Sequence, residues 1–89
     1  MNERTVWKYV LQFNVNAIEM PRDAELLHVA EQHGELCLWA KVDPRGKVGR
    51  RLVGVCKTGH AAPVRGSHVG TVLLLGGTLV LHVFDGGWQ

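Results

Sequence analysis

Two apolar runs separated by a glycine pair constrain the fold of this chain more than any other feature. The runs are Val69–Leu75 and Thr78–Phe84, and Gly76-Gly77 lies between them. A tight two-residue turn between antiparallel strands requires positive φ angles, which glycine adopts without steric cost. The pattern therefore predicts a β-hairpin. Because both runs are apolar on both faces, we expect the hairpin to be central, covered by a second sheet or buried in a homo-oligomer interface.

Alternation of side chains with a period of two predicts more strands earlier in the chain. The alternating segments are Val6–Phe13 and Glu35–Val42, and Arg50–Lys57 is a further strand candidate. A period of two with many β-branched and aromatic residues is typical of strands. Trp7 and Trp39 fall on faces that they share with other apolar residues, so we expect both in the core.

Turns and loops are predicted where Gly, Pro and Asn cluster. Asn14-Val15-Asn16 is a predicted turn, because Asn tolerates left-handed backbone conformations. A short extended piece, Ala17–Met20, follows and ends at Pro21, which disfavours helix in the residue before it. Longer loops are predicted at Asp43–Gly49 and Thr58–His68, which contain both Pro and Gly.

The segment Asp23–His33 is compatible with two structures. A helix would have its N-cap at the first residue of the segment and would end at Gly34. A strand would place Leu27 and Val29 on one face, with His33-Gly34 as the hairpin turn into the next strand. The periodicity of so short an apolar segment leaves both structures open.

Together these segments predict a mainly β fold, a small antiparallel sandwich or partly open barrel of about six or seven strands. Of the 89 residues, 46% are apolar and the net charge is only +2, so the chain is expected to be ordered. We expect a single domain over residues 1–89, with a Gly-rich C-terminal tail at 85–89. Trp88 in that tail would be a candidate oligomer contact if exposed, and packing against the core is the alternative.

The apolar runs of the sequence are too short for a membrane span. Uninterrupted apolar runs such as Val72–Leu75 fall far below the roughly 20 residues that cross a bilayer. The first residues are polar and contain no apolar leader segment. These features predict a cytoplasmic protein. In that compartment Cys37 and Cys56 are expected to be buried free thiols rather than a disulfide.

The charges are distributed unevenly along the chain. Residues 41–65 contain seven basic residues and one acidic residue, a net +6, whereas the remainder contains three basic and seven acidic residues, a net −4. A basic segment of this kind is either a solvated loop or an anion site. As an anion site it would use Arg50, Arg51, Lys57 and His60, which are the candidate ligand-binding residues.

Residues that commonly carry enzymatic chemistry are few and poorly grouped. The sequence has no Cys-x-x-Cys that could complete a structural zinc site with its five histidines. Ser67 lacks the strand–turn–helix setting of a nucleophile elbow. Cys37 lies in an apolar strand, where a thiolate is disfavoured. We therefore expect no catalytic residues, no metal site, no cofactor and no enzymatic activity.

Several blocks of the sequence carry a family resemblance: Val6-Trp7-Lys8-Tyr9, Ile18-Glu19-Met20-Pro21, Cys37-Leu38-Trp39-Ala40-Lys41-Val42-Asp43-Pro44, Thr58-Gly59-His60, Val69-Gly70-Thr71 and Leu79-Val80-Leu81-His82-Val83-Phe84. In this order they resemble a family of small uncharacterised proteins of bacteriophages and prophages. The resemblance implies a phage-related context and no particular activity. It also implies β-type sequence after Met20-Pro21, which favours a strand at Ala24–Gln32.

Three functions are expected from these features. The first is a non-enzymatic accessory protein that binds and inhibits or modulates a host protein, for example as an anti-defence factor. The second is an oligomeric protein that sequesters an anionic nucleotide through the four candidate residues. The third is a weak nucleic-acid-binding module, whose binding would weaken steeply with salt. In each case we expect a cytoplasmic location in the host cell and no membrane partner.

Overall fold

Seven β-strands make up most of residues 3–89, the part of the chain that the computed structural model describes. Met1 and Asn2, the start of the predicted domain, lie outside the described residues. A short 3₁₀ turn, Leu75–Gly77, separates the last two strands. The strands are β1 (Thr5–Val10), β2 (Asn14–Pro21), β3 (Glu25–Gln32), β4 (Glu35–Val42), β5 (Val48–Lys57), β6 (Ser67–Leu74) and β7 (Leu79–Trp88).

The strands of residues 3–89 form two antiparallel sheets. One sheet has the order β1-β4-β3 and the other the order β2-β5-β7-β6. They pack as a sandwich and do not close into a barrel, which confirms the predicted mainly β fold and selects the sandwich. No helix in the described part of the chain is long and apolar enough to cross a membrane.

The segment that was compatible with helix or strand is a strand. Residues of β3 pair with β4 from Glu25 to Gln32, so the helix alternative for 23–33 is wrong. His33 and Gly34 form the predicted hairpin turn, with φ angles of 54° and 81°. Two consecutive positive φ angles are what a two-residue turn between right-twisted strands requires. Pairing with β4, which lies at the centre of its sheet, outweighs the helical spacing of the apolar residues.

The connection between β6 and β7 differs from the predicted Gly-Gly turn. It starts one residue earlier, at Leu75, and Thr78 N–H donates to the carbonyl oxygen of Leu75 at 3.2 Å. Leu75 itself has a φ of 52°, in the left-handed region. Of the two strands, β7 is central as expected, but β6 is an edge strand. Its Leu73 is 59% exposed, so the hairpin is not covered on both faces.

The Gly-rich C-terminus is part of the sheet rather than a tail. Strand β7 continues to Trp88, which pairs with Arg51, and Gln89 N–H donates to the carbonyl oxygen of Arg50 at 2.7 Å. Gly86 allows this because a Cβ there would lie only 2.9 Å from Val64. The lack of side chains at this point therefore permits close packing of the loop before β6.

The core lies between the two sheets and has two parts. The larger part consists of buried aliphatic residues from the five strands β3 to β7 and the residue that follows β1: Leu11, Val29, Leu36, Leu38, Val53, Val55, Val72, Leu81 and Val83. The smaller part, near the β2–β3 connection, consists of Met20, Ala24, Ala40 and Val42. Burial of these side chains supplies the main driving force for folding.

Both tryptophans predicted for the core lie closer to solvent. Trp7 is 39% exposed because β1 is an edge strand, and it faces Ala40 at the rim of the inner face. Trp39 lies on the opposite face of β4, half-buried, with the ring of His28 at a centroid distance of 6.3 Å. Cys37 is a buried free thiol as predicted, whereas Cys56 is free but only half-buried.

The two sheets approach each other most closely where β3 meets β6. At Gly70 of β6, an added Cβ would lie 2.6 Å from Cγ2 of Val29 in β3. Val29 is buried and belongs to the larger core. The missing side chain at Gly70 therefore sets the spacing between the sheets at this seam.

Substitution of this glycine tests the seam. Gly70→Ala should lower the free energy of unfolding by about 1–3 kcal/mol, because the added methyl overpacks the seam. In Gly70→Ala/Val29→Ala the methyl would occupy space that valine has vacated, so the double variant should be less destabilised than the sum of the single variants by at least about 0.5 kcal/mol. Urea unfolding of the four proteins measures both quantities. Additive effects would contradict the proposed contact.

Candidate functional site

The antiparallel strands bring loops from distant parts of the sequence to the two ends of the sandwich. At one end lie residues 10–14, 32–35, 57–61 and 74–79, and we call this the apolar end. At the other lie residues 21–25, 42–48, 67 and 85–89, and we call this the charged end. The predicted ligand-binding residues are divided between the two.

Arg50 and Arg51 do not share a site with the other two candidates. As neighbours in β5 they point to opposite faces of the sheet. Lys57 lies six residues beyond Arg51 in the same strand, about 20 Å away. Only Lys57 and His60 are brought together, at the apolar end. The structure therefore does not bring the four candidate residues together around one anion, because strand geometry separates them.

Arg51 is engaged in an ion pair inside the charged end. Its Nε donates to Oδ1 of Asp85 at 3.0 Å and a second guanidinium N–H donates to Oδ2 of the same carboxylate. A third donates to the carbonyl oxygen of Ala24 at 2.9 Å. The guanidinium also lies 4.8 Å from the ring centroid of Trp88, which Arg22 approaches to 5.5 Å. Arg51 thus joins β5 to β7 and to the β2–β3 connection.

The Arg51 guanidinium holds the pKa of Asp85 below its usual range. The side-chain hydrogen bond from Arg51 is the largest cause, and the backbone N–H of Gly87 donates a further bond to the carboxylate at 2.9 Å. Partial burial acts in the opposite direction but is outweighed. Asp85 is therefore ionised at neutral pH in the native state, and its carboxylate accepts hydrogen bonds from Arg51 and from the backbone of Gly87.

Other basic residues of segment 41–65 also lie beside acidic residues from elsewhere in the chain. Lys41 Nζ is 3.5 Å from Oε1 of Glu25, and Arg50 is directly opposite Glu19 in the register of β2 and β5. Lys41, Arg50 and Arg51 therefore all have an acidic neighbour. The +6 segment of the sequence does not become a uniformly basic surface.

Lys57 and His60 form a cleft with an aromatic wall at the apolar end. The cleft has a volume of about 330 Å³, and Asn14 and Ala61 also line it. Lys57 Nζ lies 5.6 Å from the ring centroid of Phe13, which is itself 50% exposed. The backbone N–H of His60 donates to the carbonyl oxygen of Lys57 at 3.1 Å, which holds the two side chains on one turn. We call this site the Lys57 cleft.

A second, apolar cavity opens next to the Lys57 cleft, between the two sheets. Its volume is about 240 Å³. Phe13 and Val55 line both spaces. The other aliphatic residues around the cavity come from both sheets and from the turns: Val10, Leu11, Leu36, Leu74, Leu79 and Leu81. The core is therefore accessible from the apolar end.

A chain of hydrogen bonds that was not predicted from the sequence lies on the outer face of the larger sheet. His82 Nε2 lies 2.7 Å from Oγ1 of Thr58, and His82 Nδ1 lies 3.0 Å from Oγ1 of Thr71. The same Thr71 oxygen lies 3.0 Å from Nε2 of His68. The chain fixes the start of the 58–66 loop on the sheet. The pairing of Thr71 with His82 follows from the register of the β6–β7 hairpin, so a correct hairpin register would have predicted this contact.

Within residues 3–89, no group of three or more His, Cys, Asp or Glu side chains is arranged to hold a metal ion. A family model described as a domain of unknown function (DUF7352) matches residues 2–88 of the chain. No curated protein and no solved structure shows a significant match. The family model thus covers nearly the whole chain and assigns no activity to it.

The ion pair at the charged end predicts an acid-sensitive fold. Because the pKa of Asp85 is lower in the folded chain than its ordinary 3.8, the pair stabilises the native state above that pH, and this stability is lost as the pH falls through the folded-state pKa. Asp85→Asn should lower the free energy of unfolding at neutral pH by about 1–3 kcal/mol, because the pair is only partly buried. The variant should also lose less stability than the wild type on acidification.

Urea unfolding at neutral and acidic pH measures both effects, with Glu19→Gln as the control. Glu19 is an exposed carboxylate opposite Arg50, so its neutralisation should cost less than about 1 kcal/mol. Equal losses for the two variants at neutral pH would show that the Arg51–Asp85 pair has no special role.

Proposed function

We propose that this chain, which belongs to the DUF7352 family of unknown function, is a non-enzymatic module that binds a protein and inhibits or modulates it. The resemblance of its sequence blocks to small phage and prophage proteins supports a bacterial host protein as the partner, and an anti-defence role as one form of this activity. Such a protein would act in the cytoplasm of the host cell and would need no cofactor.

The Lys57 cleft is the observation that carries this proposal. Phe13 exposes half of its ring, although burial of such a ring is strongly favourable, and Lys57 extends over it. Aromatic residues are enriched at the centres of protein interfaces, where water is excluded from the contact. A partner that placed a carboxylate beside Lys57 and His60, and an apolar group on Phe13, would match the cleft in charge and in shape.

Charge reversal at the cleft tests the proposal. Tagged wild-type protein and Lys57→Glu would be used as baits in a lysate of the bacterium that carries the gene, and captured proteins would be purified and titrated by calorimetry. We expect Lys57→Glu to weaken binding at least about tenfold, since it places a like charge against the partner's carboxylate. Binding by the wild type should also weaken with salt.

Lys47→Glu is the matched control for this experiment. Lys47 is an exposed lysine at the charged end, so the variant carries the same change in net charge far from the cleft. It should bind as the wild type does. A partner that bound all three proteins equally, or no partner that binds the purified wild type, would contradict the proposal.

An anionic nucleotide is the second candidate ligand of the same cleft. Stacking of a base on an exposed aromatic ring contributes about 1–3 kcal/mol, and Lys57 and His60 would contact the phosphates. In this second function the protein is an oligomer that sequesters the nucleotide, and Lys57 and His60 contact it without Arg50 and Arg51, which lie elsewhere. A nucleic-acid interface has less support, because the acidic neighbours of Lys41, Arg50 and Arg51 offset their charge.

Thermal denaturation with a panel of ribonucleoside mono-, di- and triphosphates tests this second candidate. A nucleotide that binds the native state raises Tm by mass action. We expect a rise for the wild type and for Lys47→Glu, and a loss of the rise in Lys57→Glu and Phe13→Ser. An unchanged Tm of the wild type with every nucleotide would exclude the second candidate.

A further inference from the structure

Leu75 combines backbone strain with exposure. Its φ of 52° lies in the left-handed region, which the side chain of leucine disfavours and which glycine adopts freely. Its exposed fraction, 76%, is the highest among the large apolar residues that the structure describes. The tight β6–β7 turn imposes this backbone conformation. The turn does not require an apolar side chain at the position, where glycine or asparagine would be less strained, so an exposed leucine there points to a contact outside the chain.

The projecting Leu75 lies beside the apolar cavity of its own chain. A groove along the β6–β7 turn contains Leu73 and Leu75, and this groove shares Gly34, Leu74 and Leu79 with the cavity. The apolar end thus presents a protruding leucine and an apolar opening side by side. A cavity of about 150 Å³ accommodates a benzene ring. The cavity here has a volume of about 240 Å³, which leaves room for a leucine side chain.

We propose that two copies of this chain pack through their apolar ends as a two-fold symmetric dimer, with Leu75 of each copy inserted into the cavity of the other. A two-fold axis between the leucine and the cavity satisfies both contacts at once, because each copy supplies one projection and one opening. The assembly closes after two copies, so the apolar end is covered without forming fibres. A second copy of the chain therefore supplies both the leucine and the cavity that this surface needs in a partner.

The dimer leaves the Lys57 cleft at its rim. The cleft shares Phe13 and Val55 with the cavity but none of its lining with the groove around Leu75, so the cleft and the groove border the cavity through different residues. The dimer would therefore carry two such clefts. This inference goes beyond the proposed function, and either can fail without the other.

Analytical ultracentrifugation over a concentration series tests the dimer. The wild type should sediment as a dimer at high concentration, and Leu75→Asn should sediment as a monomer of half that mass. Asn tolerates a positive φ, so this variant should fold at least as well as the wild type, which circular dichroism and Tm would show. A monomeric wild type across the whole series, or a folded Leu75→Asn that remains dimeric, would overturn the proposal.

Leu27→Asn is the matched control, and mixed labelling tests the geometry. Leu27 is 44% exposed and lies near the other end of β3, so its replacement should leave the dimer intact. In a mixture of isotope-labelled and unlabelled wild type, isotope-filtered NMR should show contacts between the methyl groups of Leu75 and those of Leu36 or Leu81. A dimer without these intermolecular contacts would refute the insertion of Leu75.

Discussion

The ion pair between Arg51 and Asp85 is the interaction on which the charged end of the sandwich depends. It lies on the inner face of the larger sheet, where an unpaired guanidinium or carboxylate would be costly to bury. By also donating to the carbonyl oxygen of Ala24, Arg51 connects the two strands of the pair to the turn that leads into the other sheet. The ring of Trp88 lies 4.8 Å from the guanidinium, measured to the ring centroid, and partly covers it. The C-terminal strand is therefore fixed by polar and aromatic contacts where the aliphatic core ends.

The ion pair also explains why the charge pattern of the sequence was misleading. The basic segment 41–65 has almost no acidic residue nearby in sequence, but β pairing brings acidic residues to it from positions more than fifteen residues away. Asp85 is the extreme case, at a separation of 34 residues from Arg51. Local sequence cannot reveal such neighbours, because they depend on strand order and register. Runs of charge in small β proteins are therefore weak indicators of a charged surface.

Much of the fold was predictable because antiparallel sheets leave local signals. Alternation identified β1 and β4, and the His33-Gly34 turn has the predicted geometry. The errors occurred where long-range pairing overrides local composition. A Gly-rich end that resembles a tail is held in β7 by β5, and a leucine takes a left-handed conformation together with the two glycines that follow it. Of the candidate site, Lys57 and His60 were predicted, whereas Phe13 was not, because its role depends on the position of a neighbouring strand.

The two ends of the sandwich differ in how far they satisfy their own side chains, and this difference indicates where the molecule has spare binding energy. At the charged end, the guanidinium of Arg51 and the carboxylate of Asp85 are matched within the chain, so a ligand there would have to break existing bonds before forming new ones. At the apolar end, Phe13 and Leu75 are exposed beside an open cavity. Binding there removes apolar surface from water and breaks no ion pair described in the structure, so the same contacts give a larger net gain. The backbone strain at Leu75 is consistent with this difference, because the strain is already present in the free chain and adds no cost when a complex forms.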